Sequence, residues 1–114
     1  MQVNIFGSTW DIKTIDVNEE IASLFSADTA GFCDGTSKTI CLKKLKDSEL
    51  VGIGDEEELK KYILRHELIH AALIECGLGD NWVREPMGHD ETSVDWLAHK
   101  FPQLIGIFMD AGAL

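Results

Sequence analysis

The sequence predicts an α+β fold in which a small antiparallel three-stranded sheet packs on one long helix, with two further helices toward the C-terminus. Three observations carry this expectation. β-Branched and aromatic residues concentrate before residue 44, apolar residues recur at helical spacing after residue 55, and turn or cap residues stand at the junctions. Taken in order, residues 2–6 and 10–17 read as a hairpin about a turn at Gly7-Ser8, with Trp10, Ile12 and Thr14 on one face. Asn18 caps a short helix over 19–25, in which Ile21, Leu24 and Phe25 share a stripe. SADTAGFCDGTSK then reads as a loop turning at Asp34-Gly35, and Thr39 to Lys43 as the third strand.

The second half is helical. Asp55 with Glu58 three residues on is a capping-box-like start, and the acidic run 55–58 suits the positive end of a helix dipole. Leu59, Tyr62, Ile63, His66, His70 and Leu73 keep one face inward until Gly77 ends the helix. A linker holding Trp82, Arg84 and Pro86 leads to a helix over about 91–100, with Val94, Leu97, Ala98 and Phe101 inward. Pro102 is expected to break the chain before a last helix carrying Leu104, Ile105, Phe108 and Met109.

Composition bounds the function. A chain of 114 residues, 45% of them hydrophobic, buries about two-thirds of its unfolded surface and needs no disulfide lattice; residues 1–114 read as a single domain. Twenty acidic against ten basic residues leave a net charge of -10, which repels phosphate backbones and argues against nucleic acid as a partner. No apolar run approaches the roughly 20 residues that cross a bilayer, so no membrane partner is expected. Three cysteines without a CxxC pair, and no secretion signal, point to reduced thiols in the cytoplasm.

The chemistry lies in His66-Glu67-Leu68-Ile69-His70, an HExxH inside the helical stripe. Residues four apart on a helix have Cβ atoms about 5–6 Å apart, so both imidazoles can reach one zinc ion. Glu67 points aside from them, where it can take a proton from a water that zinc has acidified. Two core histidines with no metal are the bland alternative, and they would bury unsatisfied ring nitrogens.

A third ligand is required. Cys76 lies about 15 Å along the axis from His66 and is set aside. Glu91, at the start of the next helix, is the better candidate, with Asp95 one turn on to accept the spare N–H of a ligand histidine. His99 extends that face and reads as solvated. Tyr62 is expected to pack, and a blocking thiolate from Cys33 is disfavoured. His89 and Arg84 are weighed as oxyanion donors, although loop residues of these types more often face solvent.

HELIHAALIECGL followed by ETSVDWLAHKFPQL resembles the small phage and prophage zinc-peptidase-like proteins, relatives of the ImmA/IrrE metallopeptidases and, more distantly, of the gluzincins. NIFGSTW, the GFCD loop and LKKYILRHELIH add less specific likeness. The resemblance implies a minimal zincin-like fold, Zn2+ held by His66, His70 and Glu91, Glu67 as general base, Asp95 touching a ligand histidine, and a peptide or protein substrate, with regulatory repressors as the analogy. Asp90 and Val94 stand where the full gluzincin motif has Asn and Ser, so the likeness is to the ligand pattern. It also implies an edge strand able to bind an extended peptide, for which Thr39 to Lys43 is the candidate. Two other readings stay open: a zinc-stabilised interaction module without turnover, and an acidic binding protein without metal. Oligomeric state is not legible here.

Overall fold

A computed structural model of the chain describes residues 1–16, 30–78 and 90–114. Within them the order is β1 (Gln2–Ile5), β2 (Ser8–Ile15), β3 (Gly31–Asp34), β4 (Thr39–Lys43), α1 (Asp47–Leu50), α2 (Glu56–Leu73) and α3 (Glu91–Asp110), with a π-helical turn over Ile74–Leu78 closing α2. The class is α+β, as the residue patterns predict. The helix expected over 19–25 and the linker residues Trp82, Arg84, Pro86 and His89 lie outside the described residues.

The sheet departs from expectation. It has four strands in the order β1-β2-β4-β3, and it is mixed: β1 with β2 and β3 with β4 run antiparallel, whereas β2 and β4 run parallel from Asp11↔Thr39 to Ile15↔Lys43. GFCD, read as loop, is the extra strand. Its turn explains the misreading, because Asp34 looks like a loop residue yet accepts from the Thr36 and Ser37 amides and hydroxyls and so folds β3 back onto β4. The reversal lets β4 enter the sheet alongside β2 in the same direction. Consequently Thr39 to Lys43, the expected edge, lies inside the sheet, and β3 occupies the edge instead.

The first hairpin turns one residue earlier than its glycine suggests, at Phe6-Gly7. Both have positive φ, 49° and 94°, as a two-residue turn matching strand twist requires, and Asn4 Oδ1 accepts the Gly7 amide at 3.0 Å. One sheet face then buries Ile5, Trp10, Ile12 and Ile40 against Ala71 of α2, with Leu64, Leu68 and Ala72 packed around them. The indole N–H of fully buried Trp10 donates to Glu75 Oε1 at 2.8 Å, and the same carboxylate accepts from the Ser8 hydroxyl and from Lys38. Glu75 thus ties the end of α2 to the sheet. These donors, Lys38 foremost, hold its carboxyl below the usual range.

Helix α2 begins where expected, with Asp55 accepting the Glu58 amide at 3.0 Å, and ends through Gly77 at φ 83°. The two C-terminal helices predicted about Pro102 are one: α3 runs unbroken from Glu91 to Asp110 with Pro102 inside. Proline at 102 deprives the Ala98 carbonyl of its helical donor. Arg65 Nε supplies the missing hydrogen bond at 2.7 Å, which removes the cost of an unpaired buried carbonyl and lets the helix continue. Among the described residues no helix is long and apolar enough to cross a membrane.

Candidate metal centre

The apolar stripe that seats α2 on the sheet fixes the rotation of that helix, and with it two histidines one turn apart. His66 and His70 face α3, largely buried, with ring centroids 4.8 Å apart. At the start of α3, Asp90 accepts the Ser93 amide at 2.9 Å, which sets where the helix begins and so where Glu91 stands. Glu91 reaches both rings. Its Oε2 is 3.2 Å from His66 Nε2, its Oε1 is 3.0 Å from His70 Nε2, and the two Nε2 atoms are 3.1 Å apart.

These distances bear on whether the trio suits a metal. Three ligand atoms placed tetrahedrally about 2.0–2.1 Å from one zinc ion would be about 3.3 Å from each other. The two ring nitrogens are just inside that figure, Glu91 sets a different oxygen against each of them at a similar distance, and His66, His70 and Glu91 form the metal-competent cluster found among the described residues. Ring nitrogens and carboxylate oxygens gathered this closely need a proton or a cation between them to offset lone-pair repulsion. Glu91 is half exposed, which leaves the side of the trio next to it open to water and small molecules.

Asp95, one turn beyond Glu91, is 2.8 Å from His66 Nδ1. With Nδ1–H donating to this carboxylate, the Nε2 lone pair is aimed at the trio, as a metal-ligating histidine requires. The same Asp95 Oδ1 accepts from the Tyr62 hydroxyl at 2.9 Å. Tyr62 therefore does more than pack. It pins the carboxylate that orients His66, and burial, together with this bond, raises its own pKa to about 12. His99 is exposed and stacks on Tyr62 with centroids 4.2 Å apart.

Glu67 points off the trio toward the sheet and is only 5% exposed. Burial raises its carboxyl above the ordinary range, opposed by a hydrogen bond from Cys33 and by His66. Cys33, on β3, lies with Sγ 3.3 Å from Glu67 Oε2 and 3.1 Å from the Glu67 carbonyl oxygen. Its own thiol is pushed strongly up by burial and by Glu67, so it is a neutral S–H donor and not a blocking thiolate. Glycine at 31 makes the approach possible, since a Cβ there would sit 3.1 Å from Glu67 Cγ and 3.0 Å from the Cys41 carbonyl oxygen. Glu91 is likewise raised, by burial and the neighbouring Asp95 and Asp90, with His66 opposing.

Five predicted residues thus come together: His66, His70, Glu91, Asp95 and, beside them, Glu67. Cys76 is exposed in the turn after α2 and takes no part in the cluster. Arg84 and His89 lie outside the described residues. The contacts of Cys33 and Tyr62 were not anticipated. Tyr62 has a signal, standing four residues before His66 on the same helix face, whereas the sequence offers Cys33 only as a disfavoured blocking thiolate, because the hydrogen bond it makes to Glu67 depends on β3, whose residues read as loop. Comparisons with models of known families, with curated proteins and with solved structures found no match.

Proposed function

We propose that the chain is a zinc-dependent peptidase on a minimal zincin-like fold, of the phage or prophage type its motifs resemble, acting in the cytoplasm on a peptide or protein such as a regulatory repressor. The observation that carries the reading is the closure of His66 Nε2, His70 Nε2 and Glu91 to within 3.0–3.2 Å of one another across two helices, with Asp95 on the far nitrogen of His66. Zinc bound there supplies Lewis acidity toward a water and a peptide carbonyl. His66, with Nδ1–H donated to Asp95, presents Nε2 in one tautomer, and Tyr62 keeps that carboxylate from rotating away. Glu67 takes the proton of the attacking water and returns it to the departing amine nitrogen, so that one C–N bond breaks, one C–O bond forms and no charge accumulates. Burial raises its carboxyl, which favours keeping the proton it takes from water until the amine leaves.

A second reading has its own observation. Glu67 is almost fully buried and already engaged by Cys33, which suits a metal-stabilised interaction module that keeps the ion without turnover. One pair of measurements separates the two. Protein purified without added metal should carry about one zinc per chain, and wild type but not Glu67→Gln should cleave members of a peptide library. Zinc without cleavage in either protein favours the module, and protein free of zinc rejects both.

A further inference from the structure

Glu67 is carried by a helix, but what holds its carboxyl comes from the sheet. The antiparallel register sets Cys33 opposite Ile40 and Gly31 opposite Leu42. Cross-strand partners share a face, and Ile40 is fully buried against α2, so the Cys33 side chain is aimed at the same helix. Gly31, two residues back on that face, leaves its space empty: a Cβ there would lie 3.1 Å from Glu67 Cγ and 3.2 Å from Oε1. The carboxyl therefore lies beneath β3, with Cys33 Sγ 3.3 Å from Oε2.

A glutamate side chain has several rotatable bonds, and one that starts from a helix can swing through several orientations. Among the described residues Cys33 is the one hydrogen-bond donor to this carboxyl. The thiol proton has a second acceptor in the Glu67 carbonyl oxygen at 3.1 Å, but that carbonyl lies inside α2 and already accepts the amide four residues on. Oε2 has no such second donor among the described residues, so the proton matters most there. A thiol also suits the task. It is a weak donor, so it fixes the direction of a carboxylate without drawing off its basicity as an ammonium would.

We infer that Cys33 is the positioning residue of Glu67, its S–H holding the carboxyl in one orientation. The consequence for proton transfer rests on the peptidase reading above, whereas the holding itself requires neither zinc nor substrate.

Three-bond couplings about the Cα–Cβ and Cβ–Cγ bonds of Glu67, read by nuclear magnetic resonance on the full chain, test this. Serine and alanine are alike in size and differ in the donor. Wild type and Cys33→Ser should give the couplings of one staggered conformer, and Cys33→Ala should lose them to values averaged over several. Averaging in the wild type, or like behaviour of the two variants, overturns the inference. The infrared S–H stretch of Cys33, assigned by its loss in Cys33→Ser, is a second measurement on the intact thiol. It should move to higher frequency in Glu67→Ala, and an unmoved band overturns the inference equally. In turnover, Cys33→Ala should lower kcat by about ten- to a hundredfold at unchanged KM and zinc content, and Cys33→Ser should lower it less. A wild type that cleaves no peptide counts against the peptidase reading and leaves the couplings and the S–H band to decide this one.

Discussion

Cys33 Sγ lies 3.3 Å from Oε2 of Glu67, so the strand at the sheet edge donates a hydrogen bond to the glutamate of the HExxH helix. Burial and this neighbour hold the thiol strongly protonated. Since the thiolate is the reactive form, Cys33 should resist iodoacetamide in the native protein at pH 8 while exposed Cys76 reacts, with a rate difference of at least about tenfold. Peptide mass spectrometry reads both sites. Equal rates would show that the thiol is not engaged as described.

Asp95 touches His66 but not the three-atom cluster itself. Replacing it by Asn should therefore weaken zinc binding by about 10–100-fold without abolishing it, whereas His70→Ala or Glu91→Ala should remove a ligand and cost far more. Competition against a chromophoric chelator measures this. An Asp95→Asn affinity equal to wild type would mean that the carboxylate does not orient the ring.

Much of the centre was legible because helices write their geometry locally. Asp55 and Gly77 bracket α2, four residues separate His66 from His70, and four separate Glu91 from Asp95, so each pair could be placed on a common face. The sheet was less legible. The parallel pairing of β2 with β4 depends on what joins residues 16 and 30, and no nearby pattern encodes it. Likewise Pro102 reads as a breaker because the donor that satisfies Ala98 stands thirty-three residues away in sequence, on another helix.

That donor can be tested by a cycle. Arg65→Ala leaves the Ala98 carbonyl unpaired and should cost about 1–3 kcal/mol, part of it from the lost contact with Glu58. In a Pro102→Ala background the helix amide restores the bond, and the cost of Arg65→Ala should fall by about 1 kcal/mol. Urea denaturation of the four proteins gives the coupling. Additive effects would refute the link between Arg65 and Pro102.

Gly31→Ala should destabilise the chain by about 1–3 kcal/mol, because the added methyl meets both the Glu67 side chain and the Cys41 carbonyl at 3.0–3.1 Å. Gly54→Ala, whose Cβ meets nothing within 4 Å, is the control. Equal midpoints in thermal denaturation would show that the sheet edge yields freely.

Hydrogen bonds from Thr36 and Ser37 lower the Asp34 carboxyl to about 2. A folded-state value below the unfolded one contributes stability at pH above the ordinary carboxylate range, and that contribution is lost as pH falls toward about 2. The carboxyl carbon shift of Asp34 should accordingly titrate near 2, and Asp34→Asn should flatten the acid limb of the stability curve between about pH 4 and 2. A titration near 4 would contradict the turn geometry.

Finally, the trio draws two members from one helix and the third from another across the long connection between them. A denatured molecule keeps its neighbouring imidazoles but parts from the carboxylate. An ion held by all three would therefore bind the folded chain and not the denatured one, so its uptake would count intact molecules and a chelator would loosen the join between α2 and α3.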